Sequence, residues 1–462
     1  MTDTTEHLDL HLPLNRRSFL RGALATGAGA ALAGPFGALA ARSAGADPGS
    51  GQGQPTGLGY GPLRPVRDAT TGLELLLLPR GFEYMSFGWR NDPMSDGIAT
   101  PSSHDGMAAF RRGDLVHLVR NHERDGGVPF AGPDRVYDGA AAGGTTNLVF
   151  DPDRAVVVES YASLSGTIRN CAGGPTPRGT WLTCEETTTI IAGTRHGYIF
   201  EVPSDGASNA VPLTAMGRFS HEATATDPAT GFVYETEDAG SSALYRFRPA
   251  DPSNLAAGGV LEAMRLAGTA DTREWTTGTS AAIEAWVTVD SPDWAPPTPS
   301  PWNQVRVKGA ARISRGEGAW YGNGLVYIVS TDGAPTRQGQ VFALDPVAGT
   351  FTCVFASPSS GVLNAPDNIC VSPRGGLVLC EDGSGLEFLH GLSPAGEIFP
   401  FAQNNLVLPA SFEATKGYSG DFSGSEWAGA TFEPTNGQWL FANLQSPGIT
   451  FAITGPWRQG AL

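Results

Sequence analysis

DNICVSPRGGLVLCED, residues 367–382, opens on an acid, runs through a short apolar stretch to a Pro-Arg-Gly-Gly turn, and returns through a second apolar stretch to two acids. Apolar runs this short, joined by a Pro/Gly turn, predict a β-hairpin. The figure recurs along the chain. His221-Glu222 opens one copy, which turns at residues 227–231 and ends at Glu235, Glu237 and Asp238. Glu317 opens another, turning at 322–324 and reaching Asp332, and Glu426 opens a further one, turning at 434–437 and ending near Asn443. Asp105 to Glu123 is a looser copy with its turn at 112–113. In RNCAGGPTPRGTWLTCEE, residues 169–186, Cys171 stands where the others carry an acid, and the hairpin closes on Glu185 and Glu186.

The closing positions, near 123, 186, 238, 332, 382 and 443, are mostly about fifty to sixty residues apart. The exception lies between 238 and 332, where a Trp- and Pro-rich insert occupies about 250–312 and includes Trp286, Trp294 and Trp302. Hairpins repeating at this period predict an all-β fold, a β-propeller of six blades. The N-terminal stretch 81–89 and the C-terminal stretch 449–454 are candidates to share one blade.

An antiparallel hairpin returns the chain to the end from which it started. The opening residues Asp105, Cys171, Glu222, Glu317, Asp367 and Glu426 should therefore ring one mouth of the central channel. A second ring should lie just outside: Glu123, Glu185 or Glu186, Glu237 or Asp238, Asp332, and Glu381 or Asp382. Acids so close together stay partly protonated unless cations neutralise them, which predicts a metal site at the mouth.

Composition bounds the chemistry. Gly 61 and Pro 35 in 462 residues suit a turn-rich β protein, and the net charge of −16 excludes nucleic acid as a partner. An acidic balance fits an exported soluble surface or carboxylates gathered for hard cations such as calcium. Arg16-Arg17, followed by Ser18-Phe19-Leu20-Arg21 and an Ala/Gly run over 22–41, reads as a twin-arginine export signal. Pro35 and the scarcity of Leu and Ile argue against a retained membrane helix. Small residues at Ala38 and Ala40, or Ala44 and Ala46, offer cleavage sites. The expected organisation is a signal peptide over 1–46, a linker over 47–60 and one propeller domain over 61–462. The product is a monomer without stable membrane insertion, delivered by the twin-arginine translocase to the periplasm, cell surface or exterior.

Five cysteines are an odd number for an exported chain, so at least one is unpaired. Cys184, Cys353, Cys370 and Cys380 sit in apolar runs and read as core residues, whereas Cys171 lies in a polar setting. A thiolate prefers a transition metal, while carboxylates suit calcium. Neither CxxC nor zinc-type histidine spacing is present, so one cysteine among acids points to iron beside calcium. No G-x-S-x-G elbow occurs, since residues 417–421 miss it by one position, and there is no P-loop.

Several motifs together resemble one family. They are Asn121-His122-Glu123, Arg169-Asn170-Cys171-Ala172-Gly173-Gly174 with the run 179–186, His221-Glu222 behind 217–220, Arg315-Gly316-Glu317, Pro366-Asp367-Asn368, and residues 445–448 with 454–457. The chain from about Leu75 to Trp457 resembles the PhoX-type alkaline phosphatases. That resemblance implies a propeller with a mixed iron–calcium cluster that hydrolyses phosphate monoesters through an oxygen the metals activate. Carried over by motif, Cys171 would bind iron (ferric), with Glu222 and Glu317 as further iron or bridging ligands. Glu123, Glu185, Asp367 and Glu381 would serve calcium, and Arg315 would hold the substrate phosphate. Arg178 departs from the pattern, standing where the family resemblance calls for an aromatic. The alternatives are a calcium-dependent propeller lactonase or other hydrolase, and a non-catalytic calcium-stabilised binding propeller. Neither of these needs the thiolate.

Overall fold

The computed structural model describes residues 59–462; the expected signal peptide, and the expected linker as far as residue 58, lie outside the described residues. Within them the repeated hairpins form. Their first and second strands are His104–Arg112 with Leu115–His122, Asn170–Pro175 with Thr180–Glu185, and His221–Thr226 with Val233–Glu237. The series continues with Gly316–Gly322 and Leu325–Ser330, Pro366–Val371 and Leu377–Glu381, and Trp427–Phe432 and Trp439–Leu444. They are numbered blades 1 to 6. Each first strand packs on the next, from blade 1 through blade 6 and back to blade 1, so the inner strands close a ring. The fold is a β-propeller.

The inner strands carry small residues because they converge on the axis. His221–Thr226, HEATAT, and Trp427–Phe432, WAGATF, are buried at every position. Glycine is required where two of them approach most closely. A Cβ on Gly106 would lie 2.6 Å from Cα of Ala172 in blade 2, and one on Gly429 would lie 2.5 Å from the Asp105 carbonyl oxygen in blade 1. Large side chains fill the wider spaces between blades, as where Phe87, Phe150, Trp439 and Phe441 meet between blades 6 and 1.

Strands outside the hairpins complete and join the blades. Glu83–Phe87 pairs antiparallel with Ile449–Thr454, so blade 6 is built from both ends of the described chain. Leu76–Leu78 and Arg64–Val66 extend blade 5 beyond Ile398–Asn404. The insert supplies Gly259–Leu266 and Ser280–Thr288 to the outside of blade 3. Ser280–Ala282 then pairs with Thr350–Thr352 of blade 4, stitching the two blades into one sheet. The described helices are short, such as Pro301–Arg306 in the insert and Ser411–Lys416. No described helix is long and apolar enough to cross a membrane.

One device repeats in the inner hairpins and positions the site. Each has a β-bulge near its mouth end, with register breaks at His104/Met107, Asn170/Gly173, His221/Thr224, Gly316/Ala319, Pro366/Ile369 and Ala428/Thr431. A bulge leaves residues unpaired and re-aims their side chains. In blades 1 to 5 the first unpaired residue is Asp105, Cys171, Glu222, Glu317 and Asp367 in turn; in blade 6 it is Gly429.

Candidate metal centre

The bulge residues of blades 1 to 5 converge on the mouth. The Cys171 thiol lies 3.3 Å from Glu222 Oε1 and 3.6 Å from Asp105 Oδ2. Four sets of donor atoms, each within 4.8 Å of one another, link round the axis: Cys171, Glu186 and Glu222; Glu222, Glu317 and Asp367; Asp367, Asp382 and Glu426; Glu426, Glu123 and Asp105. Shared members join successive sets, and the Asp105–Cys171 contact closes the circuit.

Two of the predicted metal ligands lie elsewhere. Glu185 is fully buried beneath the mouth, where Oε1 accepts from Ile168 N–H at 3.0 Å and His196 Nδ1 at 2.6 Å, and Oε2 from the Gly197 and Tyr198 N–H groups at 2.8 and 3.1 Å. Glu381 is held in the same way by Asn364 N–H, Phe388 N–H and His390 Nε2. Their successors Glu186 and Asp382 reach the mouth instead. The physical reason is strand alternation: consecutive side chains point to opposite faces, so only one acid of each pair can look into the channel. Glu123, Glu222, Glu317, Asp367 and Cys171 are brought together, and Asp105 and Glu426 join them. Asp332 belongs to none of the four sets.

Arg169 and Arg315 stand two residues before Cys171 and Glu317, in corresponding positions of blades 2 and 4. Both adopt left-handed backbone, with φ of 48° and 42°, as do Ser103 and Ala365 at the same point of blades 1 and 5. A left-handed non-glycine residue is uncommon, and here it recurs at one place in the repeat. Its carbonyl accepts the N–H of the residue that follows the second strand: Glu123 from Ser103, Glu186 from Arg169, Thr331 from Arg315, and Asp382 from Ala365. Arg315 grips Asp238 through Nε at 2.8 Å and Nη2 at 3.0 Å, and Nη2 also lies 3.0 Å from Glu317. Arg169 donates through Nε to Glu123 at 3.1 Å and through Nη2 to Glu186. The spacing shared with Arg315 was the sequence signal that marks Arg169. Gln445, which sequence reasoning left without a role, donates to Glu123 Oε2 at 2.7 Å.

Electrostatics set the character of the mouth. Burial, then repulsion from Glu123 and Asp367, pushes the Asp105 carboxyl well above the usual range. Burial and then neighbouring carboxylates do the same to Glu222 and Glu317. Asp367 and Glu186 are pushed up to about 8, mainly by burial. Burial followed by Asp105 and Glu222 raises the Cys171 thiol. Asp105 Oδ1 and Glu222 Oε2 are buried without any hydrogen-bond partner. Buried anions of this kind are normally paired or bound to metal. The donor set therefore fits cations, with oxygen ligands for a hard ion and one thiolate for a softer one. The other four cysteines are fully buried in the blades.

The family profile of alkaline phosphatase PhoX matches residues 58–158 and 150–448. The chain belongs to the PhoX alkaline phosphatase family. The profile of the twin-arginine translocation signal sequence matches residues 13–33, which directs this PhoX-family chain out to the periplasm or beyond. Among solved structures it is similar to Pseudomonas fluorescens PhoX in complex with vanadate, a transition state analogue. That protein is 18% identical with a TM-score of 0.59, and the match covers 88% of this chain and 99% of the other. A gluconolactonase from Xanthomonas campestris is 12% identical with a TM-score of 0.43, covering 86% and 98%. No curated protein matches.

Proposed function

We propose that this PhoX-family phosphatase hydrolyses phosphate monoesters at a mixed iron–calcium centre in the propeller mouth. The observation that carries the reading is the buried Cys171 thiol, set within 3.6 Å of two carboxylates in a closed circuit of acids. Cys171 would hold iron, with Glu222 and Glu317 as further iron or bridging ligands. Glu123 and Asp367 would serve calcium, together with Asp105 and Glu426. The geometry supports Glu186 and Asp382 in the places that the sequence reading gave to Glu185 and Glu381. When bound, the cations supply neutralisation of phosphoryl oxygens and a lowered pKa for the attacking water.

The chain's own residues do the rest. Arg315 is fixed by the two-point grip of Asp238 on Nε and Nη2, which turns Nη1 into a rigid donor for a phosphate oxygen. Its charge also offsets the acids that would otherwise repel a phosphate dianion. Gln445 and Arg169 hold Glu123 from two sides, keeping that carboxylate in one orientation. The bulges present the ligands from strands packed on both sides, so the donor positions are set before any ion arrives.

Metal analysis of the purified exported protein, run beside turnover of a chromogenic phosphate monoester, tests the reading. Iron together with calcium, and phosphate release that stops in excess calcium chelator, is the expected result. Undiminished turnover in Cys171→Ser, with no iron in the native chain, refutes it.

A further inference from the structure

Cys171 reaches the mouth on a bulge, and one side chain from the neighbouring blade holds that bulge. The register of blade 2 passes from Asn170 with Glu185 to Gly173 with Thr183, so Cys171 and Ala172 together oppose the single residue Cys184. Both bulge carbonyls are taken by Asn121 of blade 1, whose Nδ2 donates to Cys171 O at 2.9 Å and to Ala172 O at 2.7 Å. Asn121 is fully buried, and its Oδ1 accepts from Trp181 Nε1 and Thr183 Oγ1, each at 2.8 Å. A carbonyl only accepts and an indole N–H only donates. The amide therefore has one orientation, with both hydrogens and both acceptor sites of Oδ1 in use. Thr183 Oγ1 accepts in turn from Asn170 Nδ2 at 2.9 Å, which ties the residue before Cys171 into the same network.

The same device recurs at one point of the repeat. Asn121 precedes His122, which pairs with His104 at the mouth end of blade 1. Thr236 and Asn443 hold the equivalent places in blades 3 and 6, ahead of Glu237 paired with His221 and Leu444 paired with Trp427. Thr236 Oγ1 donates to Glu317 O at 2.5 Å, and Asn443 Nδ2 to Asp105 O at 2.6 Å. In all three the acceptor is the carbonyl of the first bulge residue in the next blade, and that residue is a donor at the mouth. The equivalent residues of the other blades, Cys184, Val329 and Cys380, carry no strong donor. Of the three clamps, Asn121 is the one that spans two bulge carbonyls, and the bulge it grips carries the one thiol of the mouth.

We propose that Asn121 is the positioning residue for the Cys171 ligand. By fixing two successive peptide planes, its amide sets the direction of the Cys171 side chain and holds the thiol 3.3 Å from Glu222 Oε1 and 3.6 Å from Asp105 Oδ2. The inference rests on the reading above in which Cys171 holds iron. All the polar positions of Asn121 are spent on the protein, so its effect reaches the metal only through Cys171. A metal–thiolate bond is short and directional, and a bulge free to rotate would offer the thiol in the wrong place.

The test uses Asn121→Asp, which keeps the shape and one acceptor oxygen but removes at least one bond to the bulge carbonyls. Asn443→Asp makes the same change at the equivalent place, on the bulge of Asp105. The measurements are iron and calcium per chain, the iron Kd by chelator competition, and the thiolate-to-iron charge-transfer absorption. The thermal midpoint of the metal-free protein verifies folding. In Asn121→Asp the iron affinity should fall about ten- to hundredfold and the thiolate absorption should shift or fade, while calcium is retained. By charge alone an added acid would strengthen cation binding, so a fall reports position. Asn443→Asp should keep native iron affinity and thiolate absorption. Thr183→Val removes one brace of the Asn121 amide with little change of shape, and should lower iron affinity by a smaller step, about three- to tenfold. Native iron affinity and absorption in Asn121→Asp or, if that variant does not fold, in Thr183→Val, overturn the positioning role and leave the iron reading intact. An equal loss of both in Asn443→Asp overturns it too, since the bulges would then be loosened without distinction. A native chain without iron refutes the iron reading, and the positioning role falls with it.

Discussion

Stripping the cations should make the protein unstable at alkaline pH and leave it stable in mild acid. Asp367 is raised from 3.8 to about 8 in the fold, and Glu186 from 4.5 to about 8. A carboxyl whose folded pKa is raised binds its proton more tightly in the folded state. Between the unfolded and folded values the native chain therefore carries the extra proton, and stability falls as pH rises through that window, from about 4 to about 8. One pKa unit corresponds to about 1.4 kcal/mol, so the ceiling is about 6 kcal/mol for Asp367 and about 5 kcal/mol for Glu186. Both are also raised by Asp238, so the two costs overlap and do not simply add. Relaxation of the mouth and entry of water lower the ceiling, yet even half of it is comparable with a whole domain's stability of about 5–15 kcal/mol. Calcium binds the ionised form, and at a hundred times its Kd it returns about 2.7 kcal/mol per site. The assay is a thermal scan of chelator-treated protein at pH 5 and pH 8, each with and without calcium. The midpoint should drop between pH 5 and pH 8 in the stripped protein, and calcium should restore it at pH 8. A stripped protein equally stable at both pH values, or one whose midpoint at pH 8 ignores calcium, would show that these acids are not held as buried anions awaiting a cation.

Other perturbations separate the parts of the site. Arg315→Lys loses the planar fork held by Asp238, so KM for a chromogenic phosphate monoester should rise about ten- to hundredfold while iron and calcium content stay at native levels. Glu185→Gln and Glu186→Gln should behave in opposite ways. The first replaces one of the two acceptor oxygens by an NH2 that must face two of its buried donors, lowering stability by about 3 kcal/mol or more in urea titration; the second should weaken metal retention and leave the metal-free midpoint at pH 8 unchanged or raised. Gly106→Ala places a methyl group 2.6 Å from Cα of Ala172, beside Cys171, and should cost about 1–3 kcal/mol together with some of the iron.

Much of the fold was legible because hairpins announce themselves through turns. Pro373 to Gly376 reverses the chain where two apolar runs meet, and the same punctuation at other points gave the period and the ring of opening residues. The register was harder to see. Nothing in the residue types of 169–186 shows a bulge after Asn170, and the bulge is what turns Cys171 into the channel. Blade 6 shows the limit most clearly. In the sequence Glu426 opens its hairpin, yet the bulge there begins at Gly429, and Glu426 reaches the mouth from ahead of the strand Trp427–Phe432. The reason is steric: any side chain at Gly429 would strike the Asp105 carbonyl oxygen, so the acid has to come from elsewhere. The insert was visible as a composition change, but its pairing across blades 3 and 4 depends on contacts about seventy residues apart, such as Ser280 with Thr352.

The paired acids that close the hairpins divide their work, and this explains how so many carboxylates can be held together. Glu185, Glu237 and Glu381 turn away from the mouth and accept from the third strand of their blade or the loop leading to it, through His196, Tyr245 and His390 respectively. Each of those bonds pins the end of the second strand. The next residue, Glu186, Asp238 or Asp382, is then carried to the mouth on a backbone whose N–H is itself tied to the start of the hairpin. A mouth acid on a free loop would swing out to solvent to escape its neighbours' charge. Anchored on both sides, it cannot, and the repulsion remains as a standing affinity for cations. The structural acid of each pair thus keeps the mouth acid in place, which is why removing Glu185 should be felt in stability and removing Glu186 in metal.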